Sequence, residues 1–391
     1  METSAFGGPP ALAGSDPLPQ IVLIGGDGGT SGVPRHMLHL ADSFQDLAKV
    51  TLISDLNEGG FDDVEKFYAQ HIVLPGLQTR KSLRHLWGGL RGLTRYLRRS
   101  KADLVWLHAR MPVLMGRLVL ALRLWRPKRR VAVTFHGLPF GPGHRPLNAR
   151  LSKALEKTLL SLCPPLDLIF LSQPMADQMT AAMGERRMAK HRVHVLPNCS
   201  DLGPLPAAQP STVMRLVMTG RVGWQKNYPL AAQILAHLPE NYSLTLCGAG
   251  TDSADFQQEI SASVPLEVAS RIHYAGPLRD VRDALMSADG YMLCSRYEGL
   301  PIGALEAFEA GMPVILSRFA GAEDLATTSA YSRVLNFDDL PTDALEIDQL
   351  MTRYKADHND PRAAIRANWE ATWSPEIFRK RSQIVLGKLL A

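Results

Sequence analysis

The chain has 391 residues, 46% of them hydrophobic and 21% charged. That is too apolar for a disordered chain, and longer than the ~250–300 residues at which one core stops growing, so two domains are expected. Net charge is only +5, yet Lys66 to Lys153 hold 19 Lys and Arg against one acid, Asp103, while the rest holds 24 bases and 37 acids. A basic stretch of this kind suits an anionic partner, and a solvated charged surface is the plainer alternative.

Residues 1–19, METSAFGGPPALAGSDPLP, lack the basic start and apolar core of a signal peptide and are expected to form a flexible leader. Gln20–Ile24 (QIVLI) is a short apolar run ending in glycines, the pattern of a buried parallel strand. Val33–Phe44 carries apolar residues at helical spacing, and Lys49–Ile53 (KVTLI) reads as a second strand. Leu83, Leu86, Trp87, Leu90, Leu93 and Leu97 share one helical face, with Arg84, Arg91, Arg95 and Arg98 beside it. Gly88, Gly89 and Gly92 weaken that helix. Further strands are expected at Leu104–Leu107, Val131–Phe135, Leu168–Leu171 and His194–Leu196. The best candidate for a spanning segment, Val113–Trp125, is cut by Arg117 and Arg123 and falls short of the ~18–20 apolar residues required.

Leu202–Thr212 (LGPLPAAQPST) lacks periodicity and is taken as a linker. The pattern then restarts, with strands at Arg215–Thr219, Ser243–Cys247, Ile272–Ala275, Gly290–Cys294 and Val314–Ser317. Helices are expected at Tyr228–Leu238, Arg279–Ala288, Leu305–Glu309 and Pro375–Leu390. The alternation predicts an α/β protein of two Rossmann-like, doubly wound parallel-sheet domains, residues 20–201 and 213–374. Cys163, Cys199, Cys247 and Cys294 form no CxxC pair and read as reduced, buried thiols of a cytosolic protein.

Four groups of residues carry candidate chemistry. In Ser295–Met312 (SRYEGLPIGALEAFEAGM), Pro301 suits the first position of a helix, Gly311 its C-terminal cap, and Pro313 its stop. The amides of Ile302–Leu305 would then face an anion such as a diphosphate. Glu298, just before the helix, and Glu306, a turn inside it, can each accept paired hydroxyl hydrogen bonds. In Gly220–Asn227 (GRVGWQKN), Arg221 and Lys226 leave a strand end together and can clamp a diphosphate in place of a metal. Gly25–Val33 (GGDGGTSGV) offers backbone amides close to a ligand, or is simply a flexible turn. Asp55 at the end of the second strand keeps a dinucleotide reading open, although Ser31 stands where the third Gly of GxGxxG belongs. His136 follows a strand end in TFHGLP and is as compatible with a structural role as with a catalytic one. No nucleophile elbow, Walker A loop, zinc spacing or DxD pair is present.

These residues resemble the retaining glycosyltransferases of family 4 (glycosyl transferases group 1), which have the GT-B fold. The resemblance rests above all on Glu298 and Glu306 within SRYEGLP…LEAFEAGMPV, then on the Gly-rich first turn, GR…QKN, and Leu196–Asn198. It implies an acceptor-binding first domain, a donor-binding second domain, and a final helix of about 375–391 crossing back onto the first. Arg221 and Lys226 would hold the diphosphate, Glu306 the ribose and Glu298 the transferred sugar, with Gly299, Leu300, Pro301 and Ile302 in the donor loop. Gly32 and His136 would lie near the reacting centre, in a cleft between the domains. Transfer would retain the anomeric configuration and need neither metal nor cofactor. Thr30-Ser31-Gly32 stands where a Gly pair is common, and Cys199 where Gly is usual; neither departure touches the donor clamp.

A GT-B epimerase or phosphorylase, and a non-enzymatic Rossmann-type nucleotide-binding module, remain as alternatives. The expected partners are a UDP- or GDP-sugar, a saccharide or lipid-linked acceptor, and an anionic membrane surface met by the Leu83–Leu97 face. No nucleic-acid motif is found. The expected place is the cytoplasmic side of a membrane, bound peripherally.

Overall fold

The computed structural model describes residues 17–67, 69–78, 82–208 and 211–391. The expected leader therefore lies almost wholly outside the described residues, as do residues 209 and 210 of the linker. The described chain forms two parallel sheets. The first comprises β1 (Gln20–Ile24), β2 (Lys49–Ser54), β3 (Ala69–Val73), β4 (Leu104–Leu107), β5 (Arg130–Phe135), β6 (Asp167–Phe170) and β7 (Arg192–Val195), in the order β3-β2-β1-β4-β5-β6-β7. The second comprises β8 (Met214–Thr219), β9 (Tyr242–Cys247), β10 (Ile272–Gly276), β11 (Gly290–Leu293), β12 (Val314–Ser317) and β13 (Ser332–Leu335), in the order β10-β9-β8-β11-β12-β13. Every pairing in both is parallel.

Both are doubly wound sheets. The winding reverses between β1 and β4 in one and between β8 and β11 in the other, and ligands of such folds bind outside the strand ends at that reversal. The central strands β4, β6, β11 and β12 are buried on both faces, as unbroken apolar runs such as LVWL and VILS require. In the second sheet Leu244, Leu246, Met292 and Ile315 are fully buried with Ile234, Leu235 and Ile347 from covering helices. Each such side chain contributes about 1.5–3 kcal/mol. The strands that sequence patterning missed, β3 and β13, are sheet edges, and their mixed burial blurs the apolar signal.

The chain divides into two compact units: residues 1–139, 151–198 and 375–391, and residues 140–150 and 199–374. The eleven residues Phe140–Arg150 thus belong to the second unit, although sequence reasoning placed them in the first domain. The helix Pro375–Leu390 belongs to the first, where Arg379 pairs with Asp42 at 2.6 Å and Gln383 donates to the Ser43 carbonyl at 2.9 Å. The basic helix runs Leu83–Arg99. Its expected single apolar face is divided: Leu93 and Leu97 are buried, while Leu83 and Trp87 are 84% and 63% exposed. Gly89 packs directly on the backbone of Gly76, where a Cβ would come within 2.1 Å of the Gly76 carbonyl oxygen, so this glycine is there for close approach.

Candidate active site

In the second unit two loops leave the strands on either side of the reversal. β8 ends at Thr219 and leads into Gly220–Asn227; β11 ends at Leu293 and leads into Ser295–Pro301. The loops are tied together by the Arg296 amide, which donates to the Gln225 carbonyl at 2.8 Å, and by Gln225 Nε2, which donates to the Tyr297 carbonyl at 3.0 Å. Glu298 is the shared centre: its Oε1 accepts from Lys226 Nζ at 2.8 Å and its Oε2 from Gln225 Nε2 at 3.1 Å. Lys226 reaches it by crossing Gly220, at φ +146°, where a Cβ would lie 2.5 Å from Lys226 Cε. Arg221 is exposed and has no ion pair among the described residues.

The helix Ile302–Glu309 starts one residue later than its sequence suggests. Pro301 is the N-cap residue, with φ −72° and ψ 114°, and not the first helical position. The Ala304 and Leu305 amides both bond the Pro301 carbonyl, at 3.1 and 3.4 Å. The outward amides are therefore those of Ile302 and Gly303 alone, not the four expected. Gly299, Leu300 and Pro301 are buried and brace the turn, while Ile302 and Gly303 are half-buried at the helix start. Glu306 is 4% exposed. Beneath the helix start, the Thr219 and Tyr291 hydroxyls share a hydrogen bond of 2.9 Å. A Cβ on Gly303 would lie 2.4 Å from both oxygens. Burial, with a smaller contribution from Glu306 and Glu298, pushes the Tyr291 phenol well up, so it stays protonated. One turn on, burial pushes the Glu309 carboxyl up to about 7, against bonds from Ser200 and the Leu202 amide that lower it.

Residues 140–150 close the outer side of these loops. Trp224 Nε1 donates to the Gly143 carbonyl at 3.1 Å, and the guanidinium carbons of Arg296 and Arg145 lie 3.9 and 5.1 Å from the Trp224 ring centroid. His144 stacks on Tyr297 at 3.7 Å. Gly143, at φ +81°, fits against the Arg296 carbonyl, which a Cβ would meet at 2.0 Å.

In the first unit the glycine-rich turn is built around Asp27, which accepts from the Gly29 amide at 2.9 Å and from the Ser31 hydroxyl. Cβ atoms on Gly26 and Gly28 would strike the carbonyls of Leu77 and Leu56, so these glycines serve loop packing. Gly32 is exposed at the first position of the helix Gly32–Ser43. Asp55 does not behave as a ribose-binding carboxylate. It is fully buried, and its two oxygens accept from the Gly76 and Gln78 amides at 3.0 and 2.9 Å. His136, partly exposed past the end of β5, is one of three clustered imidazoles. Its Nε2 lies 3.3 Å from Nδ1 of His108, which follows β4, and its ring stands 5.0 Å from that of His36. Burial pushes His136 down to about 4 and lowers His36 and His108 well below the ordinary value, so all three are uncharged at neutral pH.

Comparison with known proteins decides the family. The model of Glycosyltransferase Family 4 matches residues 30–203, and that of Glycosyl transferases group 1 matches residues 214–346. The chain belongs to the family 4, group 1 glycosyltransferases. Over 149 residues it is 28% identical to the putative glycosyltransferase EpsF of Bacillus subtilis, a match covering 34% of the chain and 38% of EpsF. Over 296 residues it is 24% identical to the Escherichia coli UDP-Gal:alpha-D-GlcNAc-diphosphoundecaprenol alpha-1,3-galactosyltransferase, covering 71% of the chain and 73% of that protein. The chain thus spans well under half the length of EpsF. The crystal structure of Anabaena HepE with UDP-glucose shares its GT-B fold, with a TM-score of 0.74 and 16% identity over 95% of this chain and 100% of HepE.

In this chain Lys226 and Glu298 meet directly, and Arg221 and the helix start share their unit. Gly32 and His136 lie in the other unit. Sequence reasoning missed Tyr291, His108 and His36, and took Gly303 only as one of four helix-start amides, not for its packing on the two hydroxyls. His108 had a visible signal, since it follows a strand end as His136 does. Gly303 had none, because its need arises from hydroxyls contributed by two other elements.

Proposed function

We propose that this glycosyltransferase moves a hexose from a UDP- or GDP-sugar to a saccharide or lipid-linked acceptor, retaining the anomeric configuration and using no metal at the diphosphate. The observation that carries the reading is the convergence of Arg221, Lys226, Glu298 and the start of the helix Ile302–Glu309 on loops flanking the β8/β11 reversal. As the bond from the anomeric carbon to the diphosphate breaks, both electrons leave on a phosphate oxygen. Arg221, Lys226 and the Ile302 and Gly303 amides stabilise that charge, the task a metal has elsewhere. Glu298 holds hydroxyls of the transferred sugar and Glu306 the ribose. His136 and Gly32 serve the reacting sugar from the first unit. The UDP-glucose bound by HepE and the lipid-diphosphate acceptor named for the E. coli relative support the substrate classes. A lipid-linked acceptor also suits the exposed Leu83 and Trp87 beside Arg84 and Arg91, which we assign to an anionic membrane surface on the cytoplasmic side.

The test is incubation with a panel of UDP- and GDP-sugars and saccharide or lipid-diphosphate acceptors. Free nucleoside diphosphate should appear together with a glycoside whose anomeric coupling matches that of the donor. Arg221→Ala should lower turnover roughly 10²–10³-fold, the usual loss for one electrostatic stabiliser. EDTA should not lower it. Activity lost in EDTA and restored by magnesium or manganese would end the metal-free reading. Nucleotide binding without release of diphosphate would favour a non-enzymatic module.

A further inference from the structure

Two aromatic rings stand beside the proposed donor residues. Trp224 lies between Arg221 and Lys226 in the loop after β8, and Tyr297 directly precedes Glu298 in the loop after β11. Both rings are held by the segment Phe140–Arg150. Gly143 offers its carbonyl to Trp224 Nε1, Arg145 lies over the Trp224 ring, and His144 stacks on Tyr297 with the two planes 18° apart. We infer that Phe140–Arg150 is a buttress that sets the two donor loops, with Trp224 and Tyr297 as the positioning residues through which it acts. The inference rests on the donor reading proposed above, and assigns the order of that site to residues outside it.

The contacts run from the buttress to the donor residues in short steps. The Trp224 carbonyl accepts from Arg296 Nε at 3.2 Å, and the same guanidinium donates to Asn227 Oδ1 at 2.6 Å. Arg296 thus ties the second loop to both flanks of Gln225 and Lys226 in the first. Gln225, next to Trp224, donates to the Tyr297 carbonyl and to Glu298 Oε2, while Lys226 donates to Glu298 Oε1. A displacement of either ring is therefore passed to the Glu298 carboxylate and the Lys226 ammonium through a single residue. Loops are the parts of such a fold that open most readily, and a misplacement of about 1 Å can cost roughly 10²-fold in rate. The fit of the buttress is close. Gly143, at φ +81°, takes a conformation that favours glycine, and the Arg296 carbonyl closes the space a Cβ would need. The fold beneath does not draw on the buttress. The core that packs Leu216, Leu244 and Met292 with Ile234 and Ile347 takes no residue from 140–150. Its effect is at the loops.

The test uses the full chain. His144→Ala removes the ring on Tyr297, His144→Phe keeps a ring there, and Trp224→Ala removes the ring shared by Arg145 and Arg296. Each variant is checked by circular dichroism and melting temperature, which should stay at wild-type values. Hydrogen exchange without ligand should quicken at the amides of residues 220–227 and 295–303 in both alanine variants. It should stay unchanged in the strands beneath, and return to the wild-type rate in His144→Phe. Calorimetry with UDP and GDP should show the nucleotide that the wild type binds held roughly 2–12-fold more weakly by His144→Ala, the range set by one aromatic pair. His144→Phe should restore it. Exchange unchanged at both loops would overturn the buttress, and so would quicker exchange with nucleotide affinity intact. If one alanine variant fails to fold, the other carries the result. A wild type that binds neither nucleotide would sink the donor reading alone, because the exchange arm needs no ligand and still decides whether the segment orders the loops.

Discussion

Burial raises the Glu309 carboxyl, and its folded-state value of about 7 lies above the usual ~4.3. Between those values the native state binds a proton that the unfolded state does not. Stability must then fall as pH rises, at up to ~1.4 kcal/mol per unit. The stabilisation is complete below about pH 4 and gone above about pH 7, about 4 kcal/mol in all. Urea titrations at pH 5, 6, 7 and 8 should show this decline, and Glu309→Gln should flatten it. A slope unchanged in the variant would assign it to another group. Glu298 shows how far residue-level reading reaches. A loop-to-helix motif was enough to single it out. Its bonds to Lys226 and Gln225 were not legible, because they depend on how the loops after β8 and β11 lie together, 72 and 73 residues apart in sequence.

Arg117 read as a break in an apolar run, and in the folded chain it is 1% exposed. On the helix Arg110–Ala121 it meets Glu156 of the helix Pro146–Leu162 through two bonds, of 2.5 and 2.8 Å. Removing one partner leaves a buried charge uncompensated, so Glu156→Ala should cost about 3–5 kcal/mol in denaturant midpoint stability. Replacing both residues by apolar side chains of similar volume should restore most of the loss. If Glu156→Ala costs under 1 kcal/mol, the pair does not hold these helices in register. Periodicity gave no hint of this bridge, since a buried pair and a solvated pair look alike in sequence. Central strands were legible because they are apolar on both faces. The division of the Leu83–Arg99 face was not, because Leu93 and Leu97 turn inward only where Gly89 lets the helix approach Gly76.

At the scale of the molecule, no helix among the described residues is long and apolar enough to cross a membrane. The proposed point of lipid contact is the exposed Leu83 and Trp87 beside Arg84, Arg91 and Arg95. Sedimentation with vesicles at ~0.1 M salt, where charges still act over ~10 Å, should show binding that needs anionic lipid and weakens as salt rises. Charge reversal of Arg84, Arg91 and Arg95 to Glu should abolish it. Equal binding to neutral vesicles, or none to either kind, would favour a soluble acceptor. Alternation of strands and helices made both doubly wound sheets readable in advance, down to the loops flanking the β8/β11 reversal.

The membership of Phe140–Arg150 in the second unit bears on how the protein can be taken apart. The chain passes from one unit to the other after residues 139, 150, 198 and 374. A single protease cut in the 202–212 stretch would therefore not yield two separable halves. Each fragment would keep a piece whose packing partners sit on the other. A fragment of residues 213–374 expressed alone would lose the Gly143 carbonyl, Arg145 and His144, leaving Trp224 covered by Arg296 alone of its two guanidinium partners and Tyr297 without its stacked ring. Such a fragment is set to self-associate, whereas the same residues supplied with a 140–150 peptide have the means to bury that patch again.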